Sequence, residues 1–266
     1  MNKAEHALHE IHAMNELAAM DSPIHRLGAL AKVVVTVAYL LVTISFSIYD
    51  CSGLLIMVLY PVLVYQIAGI PIRTCFYKLR IILPLVCAVG LFNPLFDRKT
   101  ILVIGTLHIS GGVMSMVTLM MKGIFCLLAS FLLIATTSIE EICHALRQLH
   151  VPKLLTSLLL LTYRYVSVLL EEVGIMMEAY HLRAPGQKGI HISAWGSFLG
   201  QLILRSMDRA TALYESMELR GFHGEFYYAK KNYNKRASFI YAVLWIGAFV
   251  VMRYVNLTRL IGGIVS

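Results

Sequence analysis

Charge is scarce in this sequence. Asp, Glu, Lys and Arg make up 14% of the 266 residues, hydrophobic residues make up 58%, and the mean hydropathy is +0.72. A soluble globular chain carries about a quarter charged residues, so this composition excludes one and indicates a multi-span membrane protein. Acid is the scarcer sign, with 15 Asp and Glu against 23 Lys and Arg, and neither acid occurs between residues 54 and 96 or between 101 and 139. An intramembrane enzyme needs a nucleophile, base or metal set at membrane depth, and His108 alone in those stretches does not supply one. Thiol chemistry is equally thin. Cys51, Cys75, Cys87, Cys126 and Cys143 form no C-x-x-C pair and mostly sit in apolar stretches, so they read as small buried hydrophobes, not as metal ligands or disulfides. The N-terminus lacks the basic run and apolar core of a cleaved signal peptide and carries Glu5, Glu10 and Glu16 instead.

What the chain has is a series of apolar runs with basic residues at their edges. The formal charge of +8 is carried by Lys and Arg beside these runs, where they set topology and meet anionic lipid head groups. The lipid bilayer is therefore a partner and nucleic acid is not. Residues 1–32 read as an N-terminal cytoplasmic or interfacial lead, polar and helix-prone over residues 1 to about 20. In it His6, His9 and His12 recur every third position, a solvated face because no carboxylate or thiol at matching spacing completes a metal shell, so no metal or other cofactor is expected. Asp21-Ser22-Pro23 supplies a cap and a proline for a helix start, and the first span is expected from about Val33 to Tyr49.

A second span is expected over Leu54–Ile70, ending at Pro71, with Arg73, Lys78 and Arg80 on the cytoplasmic side. A third, short one covers Ile81–Phe96 and carries Pro84, and Asp97-Arg98-Lys99 lies outside. Ile101–His108 is too short to cross and reads as a strand or re-entrant arm. Gly111-Gly112 then leads into a fourth span, Val113–Ile134, with Lys122 near its middle. A lysine at that depth costs several kcal/mol unless it is paired or snorkels. Two readings stay open for Lys122: a polar contact against another helix or a partner subunit, or snorkelling from a tilted span.

Thr137-x-x-Glu140 is a capping box, so a short helix starts there and ends before Pro152. A helix of about 48 Å at about 1.5 Å per residue is then expected from Pro152 to Arg183, and a second long one over Trp195–Arg220. Leu154–Leu170 has the hydropathy of a crossing, but Lys153, Arg164, Glu171 and Glu172 interrupt the segment, and lying along the membrane surface accounts better for that mixture. Both long helices close on one signature, Leu182-Arg183-Ala184 and Leu219-Arg220-Gly221. A cation in a last helical turn offsets unsatisfied carbonyls, which is the simplest cause. Repetition at two equivalent ends points further, to tips that dock into matching sockets of a two-fold partner. The last span is expected over Phe239–Val255, after the basic residues Lys230, Lys231, Lys235 and Arg236, while Arg253 and Arg259 go against the charge bias.

The expected fold is thus an all-α membrane protein. Residues 33–135 hold helices 1–4 of about five transmembrane helices, 136–228 form a cytoplasmic unit of one short and two long amphipathic helices, and 229–266 hold the last span. The N-terminus is expected inside.

Several stretches together resemble one family. They are Ser22-Pro23-x-His25-Arg26-Leu27, Thr136-Thr137, Leu149-x-Val151-Pro152-Lys153, Thr162-Tyr163-Arg164-Tyr165 and Glu215-Ser216-Met217-x-Leu219-Arg220-Gly221-Phe222-x-Gly224. They are similar to the transmembrane coupling (T) component of energy-coupling factor transporters, and most similar to the cobalt/nickel-type CbiQ branch. The resemblance implies a prokaryotic cell membrane and a non-catalytic subunit with two ABC-type ATPase subunits as partners. It also implies a membrane S component that captures substrate, CbiM-like if the cargo is cobalt. Leu182, Arg183, Ala184, Leu219, Arg220 and Gly221 would then be the ATPase-docking residues. The family motif is usually Ala-Arg-Gly, so leucine stands here for its first residue in both copies and Ala184 for its glycine in one. Cargo stays open between cobalt, nickel and a vitamin, because the S component mainly chooses it. A stand-alone carrier would want paired charges or broken half-helices in related repeats, and Lys122 alone is thin support for that.

Overall fold

The computed structural model describes residues 3–47, 51–70, 100–104, 107–187, 189–224 and 233–254, with positions 75, 84, 86, 88 and 91. Within them run α1 (Lys3–Ala18), α2 (Ala29–Ser45), α3 (Cys51–Ile56), α4 (Leu59–Ala68), β1 (Thr100–Ile104), β2 (Leu107–Ser110), α5 (Gly111–Thr136), α6 (Ile139–Gln148), α7 (Lys153–Arg183), α8 (Trp195–Leu219) and α9 (Lys235–Tyr254). Most of the third expected span and of the stretch bearing Arg73, Lys78 and Arg80, together with Asp97-Arg98-Lys99, Lys230-Lys231 and Arg259, lies outside the described residues.

The protein is an all-α membrane protein, and one small hairpin accompanies its helices. By length and composition α5, α7 and α9 are long enough and apolar enough to cross a membrane, while the segments of α2 and α3–α4 are shorter and apolar. The piece over 101–108 forms the hairpin, β1 antiparallel to β2 with Val103 opposite His108 and Ile104 opposite Leu107.

The chain folds as two compact units. One, here the rod unit, comprises Met1–Glu16 and Ile139–Lys230; the other, the span unit, comprises Leu17–Ser138 and Lys231–Ser266. In the span unit α2 packs against both α5 and α9, and α3 and α4 pack on α5. The core is aromatic. Tyr39 of α2, Tyr60 of α4 and Trp245 and Phe249 of α9 stack with ring centroids 4.7–5.8 Å apart, in tilted and edge-on geometries that favour aromatic pairs.

Two expectations about helix shape give way to contacts made across the fold. The helix expected to open at Pro23 begins instead at Ala29, after a single turn in which the Arg26 amide bonds the Ser22 carbonyl. Gly28 is extended there (φ −61°, ψ 134°) because its amide donates to the Ser238 hydroxyl of α9 at 2.8 Å. The second expected span is two helices, with a break at Met57-Val58. Pro61 has no N–H, so the Met57 carbonyl four residues earlier loses its helical donor. An unpaired carbonyl in an apolar interior is expensive, and the buried Tyr39 hydroxyl takes its place at 3.0 Å. Tyr39→Phe is therefore expected to lower stability by about 1–3 kcal/mol, read as a lower unfolding midpoint in detergent. An unchanged midpoint would show that Met57 has another donor.

Candidate functional site

In the rod unit α6 opens with Glu140 and Glu141 in its first turn and closes with Arg147 in its last, both matched to the helix dipole. His150 takes a positive φ of 63°, Pro152 follows, and α7 starts at Lys153. Burial pushes the Cys143 thiol of α6 up, so it stays neutral and packs as an apolar group. The histidines of α1 are all exposed, and no group of three or more His, Cys, Asp or Glu that could hold a metal ion occurs among the described residues.

The two rods α7 and α8, 31 and 25 residues long, are pinned near their middles. Glu172 of α7, whose side chain is only 14% exposed, takes Arg205 on one carboxylate oxygen and Arg209 on the other, the second at 3.3 Å. Arg205 and Arg209 are four residues apart, so both lie on one face of α8 and grip the carboxylate from adjacent turns. In the sequence these residues stand only as charges interleaved among apolar ones, and the pin does not show. The i, i+4 arginine pair was the available signal, but nothing in it said which of the acids of α7 it would meet. At another point Tyr163 of α7 donates to Asn15 of α1 at 2.6 Å, which ties the lead helix to the first rod.

Both arginine signatures stand at rod ends. Arg183 is the last residue of α7 and Arg220 the C-cap of α8. Their neighbours Leu182 and Leu219 are 84% and 90% exposed, a costly placement for leucine unless something covers it. Arg183 and Arg220 are exposed too, and neither guanidinium makes a hydrogen bond or ion pair among the described residues.

The two ends terminate differently. At the second, the Phe222 amide bonds the Met217 carbonyl at 2.9 Å and the Gly221 amide bonds the Glu218 carbonyl at 2.9 Å, a Schellman motif with Gly221 at φ +79°. At the first, Ala184 caps with φ −129°, its amide bonding the Tyr180 carbonyl at 3.0 Å, and the turn passes to Gly186 at φ +91°. The left-handed residue thus directly follows the arginine in one motif and comes three residues later in the other. That accounts for a glycine at 221 and an alanine at 184. Space around Gly221 is open, so the cost of Gly221→Ala is conformational alone, about 1 kcal/mol. Gly221→Asn, better tolerated in that region, is expected to restore part of it. Helix content near the tip, read by hydrogen exchange, distinguishes them, and equal exchange in both would refute this.

Lys122 belongs to the span unit. Its ammonium donates to the carbonyls of Ile44 and Phe46, the free C-terminal acceptors of α2. Arg253 of α9 donates to the Ser45 carbonyl of the same helix end at 3.0 Å, with its guanidinium 4.6 Å from the Phe46 ring centroid. The helix end therefore draws a cation from each neighbouring helix, which gives Arg253 a packing reason for its position.

Comparison with known proteins places this architecture. The family model for CbiQ, described as cobalt transport protein, matches residues 20–229, from the Ser22 motif through both rod tips. The nickel permease LarQ of Lactiplantibacillus plantarum is 33% identical over 91 residues, covering 34% of this chain and 33% of that protein. The uncharacterized protein MJ1571 of Methanocaldococcus jannaschii is 25% identical over 170 residues, covering 60% of this chain and 58% of that one. These alignments span a third to under two thirds of the relatives' lengths. With the family model spanning both rods, their tips and the α2–α5 helices, the chain belongs to the CbiQ cobalt transport protein family, a family of membrane components of transporters.

Proposed function

We propose that this chain is the T component of an energy-coupling factor importer for cobalt or nickel ions. It passes the work of two ABC-type ATPase subunits to a separate membrane S component that holds the cargo. The observation that carries this reading is the pair of rods pinned at Glu172, each ending in an exposed Leu-Arg tip that makes no bond of its own among the described residues. A guanidinium is a fixed fork of donors suited to carboxylates and carbonyls in a groove, and the exposed leucine beside it gives the apolar half of a plug. When nucleotide closes an ATPase dimer, tips held in its two halves move with them, and stiff helices carry that motion. Chemistry stays with the ATPases. The family match and the likeness to a protein named a nickel permease support a divalent transition metal as cargo.

In this reading α7 lies along the cytoplasmic membrane surface, with the rods and N-terminus inside. Reconstituting the chain with and without the ATPase pair and S component tests the function. Metal uptake is expected only from the full set, and uptake by the chain alone, or its failure to co-purify with the ATPases, would overturn the assignment. Cysteines placed in Leu154–Leu170 are expected to resist labelling from outside, and their labelling would refute the topology.

A further inference from the structure

Two motif pieces have no part in docking: Ser22-Pro23-x-His25 before α2 and Thr136-Thr137 at the end of α5. They meet inside the span unit. His25 is 6% exposed, and its Nε2 stands 3.1 Å from the Leu17 carbonyl and 3.3 Å from the Ala135 carbonyl. Carbonyls only accept, so Nε2 carries a hydrogen shared between them. With the ring neutral, Nδ1 accepts from the Ser22 hydroxyl 2.7 Å away. Lys32, 3% exposed in the first turn of α2, donates to the Thr136 carbonyl at 2.7 Å and reaches the His25 carbonyl at 3.5 Å. Ala135 and Thr136 belong to the last turn of α5, whose carbonyls have no helical donor and favour a cation.

The positions of these acceptors in the chain give the cluster its meaning. Leu17 is the first residue of the span unit after Glu16 leaves the rod unit, and Ala135 and Thr136 precede the return to the rod unit at Ile139. One imidazole and one ammonium thus fasten two of the connections between the units to each other and to the start of α2. The geometry points to a force-transmitting latch, in which His25 and Lys32 are positioning residues that make the two connections move as one piece with α2 and α5. Without them, movement of the rods would be absorbed by unwinding of the last turn of α5. This inference rests on the proposed coupling role.

The test uses the full chain in two settings. In the complex with ATPases and S component, Lys32→Met and His25→Leu are expected to lower nickel uptake per ATP hydrolysed about tenfold, the scale of a coupling free energy between linked sites. ATP hydrolysis itself should persist. His25→Gln, which keeps an N–H donor near the Nε2 position, is expected to recover most of the ratio. A cap that only stabilises the fold would lower uptake and hydrolysis together, and an unchanged ratio in a folded variant overturns the latch.

In the purified chain without partners, Lys32→Met is expected to speed hydrogen exchange at the amides of residues 137–141 and to leave the middle of α5 unchanged. Unaltered exchange at 137–141 overturns the latch independently. Should Lys32→Met fail to insert, Ser22→Ala removes the hydroxyl that orients the ring and is judged by the same two readouts. If the wild-type chain does not capture ATPases, the coupling reading falls, and the exchange measurement still decides whether the connections are latched.

Discussion

Arg183→Glu combined with Arg220→Glu is expected to abolish capture of ATPase subunits while the chain inserts and folds as the wild type does. Folding should be spared because both side chains are exposed and make no bond among the described residues, so no native contact is removed. Exposed substitutions of this kind stay within about 0.5 kcal/mol. Binding should suffer because a groove that receives a guanidinium presents carboxylates or carbonyls, and loss of one partner of such a buried pair costs about 2–5 kcal/mol. Two reversed tips together would weaken capture by several orders of magnitude, and each single reversal would show an intermediate loss. Pull-down of the ATPases by the tagged chain reads the effect directly, with the detergent-purified yield as the control for insertion. Capture at wild-type yield by the double variant would remove docking as the role of the tips.

The second large effect is expected at Glu172, through geometry and not through contact with a partner. Glu172→Arg would place three guanidinium groups where one carboxylate now meets two. Breaking a fully buried pair costs about 3–5 kcal/mol, but the Arg205 and Arg209 side chains are 52% and 49% exposed, so water relieves part of the repulsion. A loss of about 2–3 kcal/mol lies between those limits. The rods would separate at their pin while each tip remained intact. The signature is capture of ATPases with loss of uptake, the reverse of the tip variants. Restoring the pairing in the opposite sense, Glu172→Arg with Arg205→Glu and Arg209→Glu, is expected to recover both stability and uptake. Absence of that recovery, read as a non-additive cycle, would show that the three residues do not act as a pair-wise pin.

Much of the architecture was legible because its signals are local. The capping box Thr137-x-x-Glu140 and Pro152 bracket a helix that forms over Ile139–Gln148, and the long apolar runs with charged interruptions form α7 and α8 at nearly the expected limits. Where expectation and structure part, a distant residue has intervened. Ser22-Pro23 carries the chemistry of a helix start, yet the Ser22 hydroxyl is engaged by His25 and the helix waits for Gly28, held by Ser238 from the other end of the chain. The continuous second span is divided because Pro61 frees a carbonyl that Tyr39 can satisfy.

Composition, hydrophobic periodicity and the residues that cap and stop helices lie in neighbouring positions, so the chain alone determined that this is a membrane protein of long helices with two arginine-ended rods. It also held both readings of Lys122, and no arithmetic of spacing could choose between them. The fold puts the Ile44 carbonyl at the end of α2 within reach of that lysine, as it brings Arg205 to Glu172 and Ala135 to His25 across 33 and 110 residues. Such pairings depend on which surfaces come together once the apolar faces are packed, and a polar group buried by that packing must take whatever partner the packing leaves within about 3 Å.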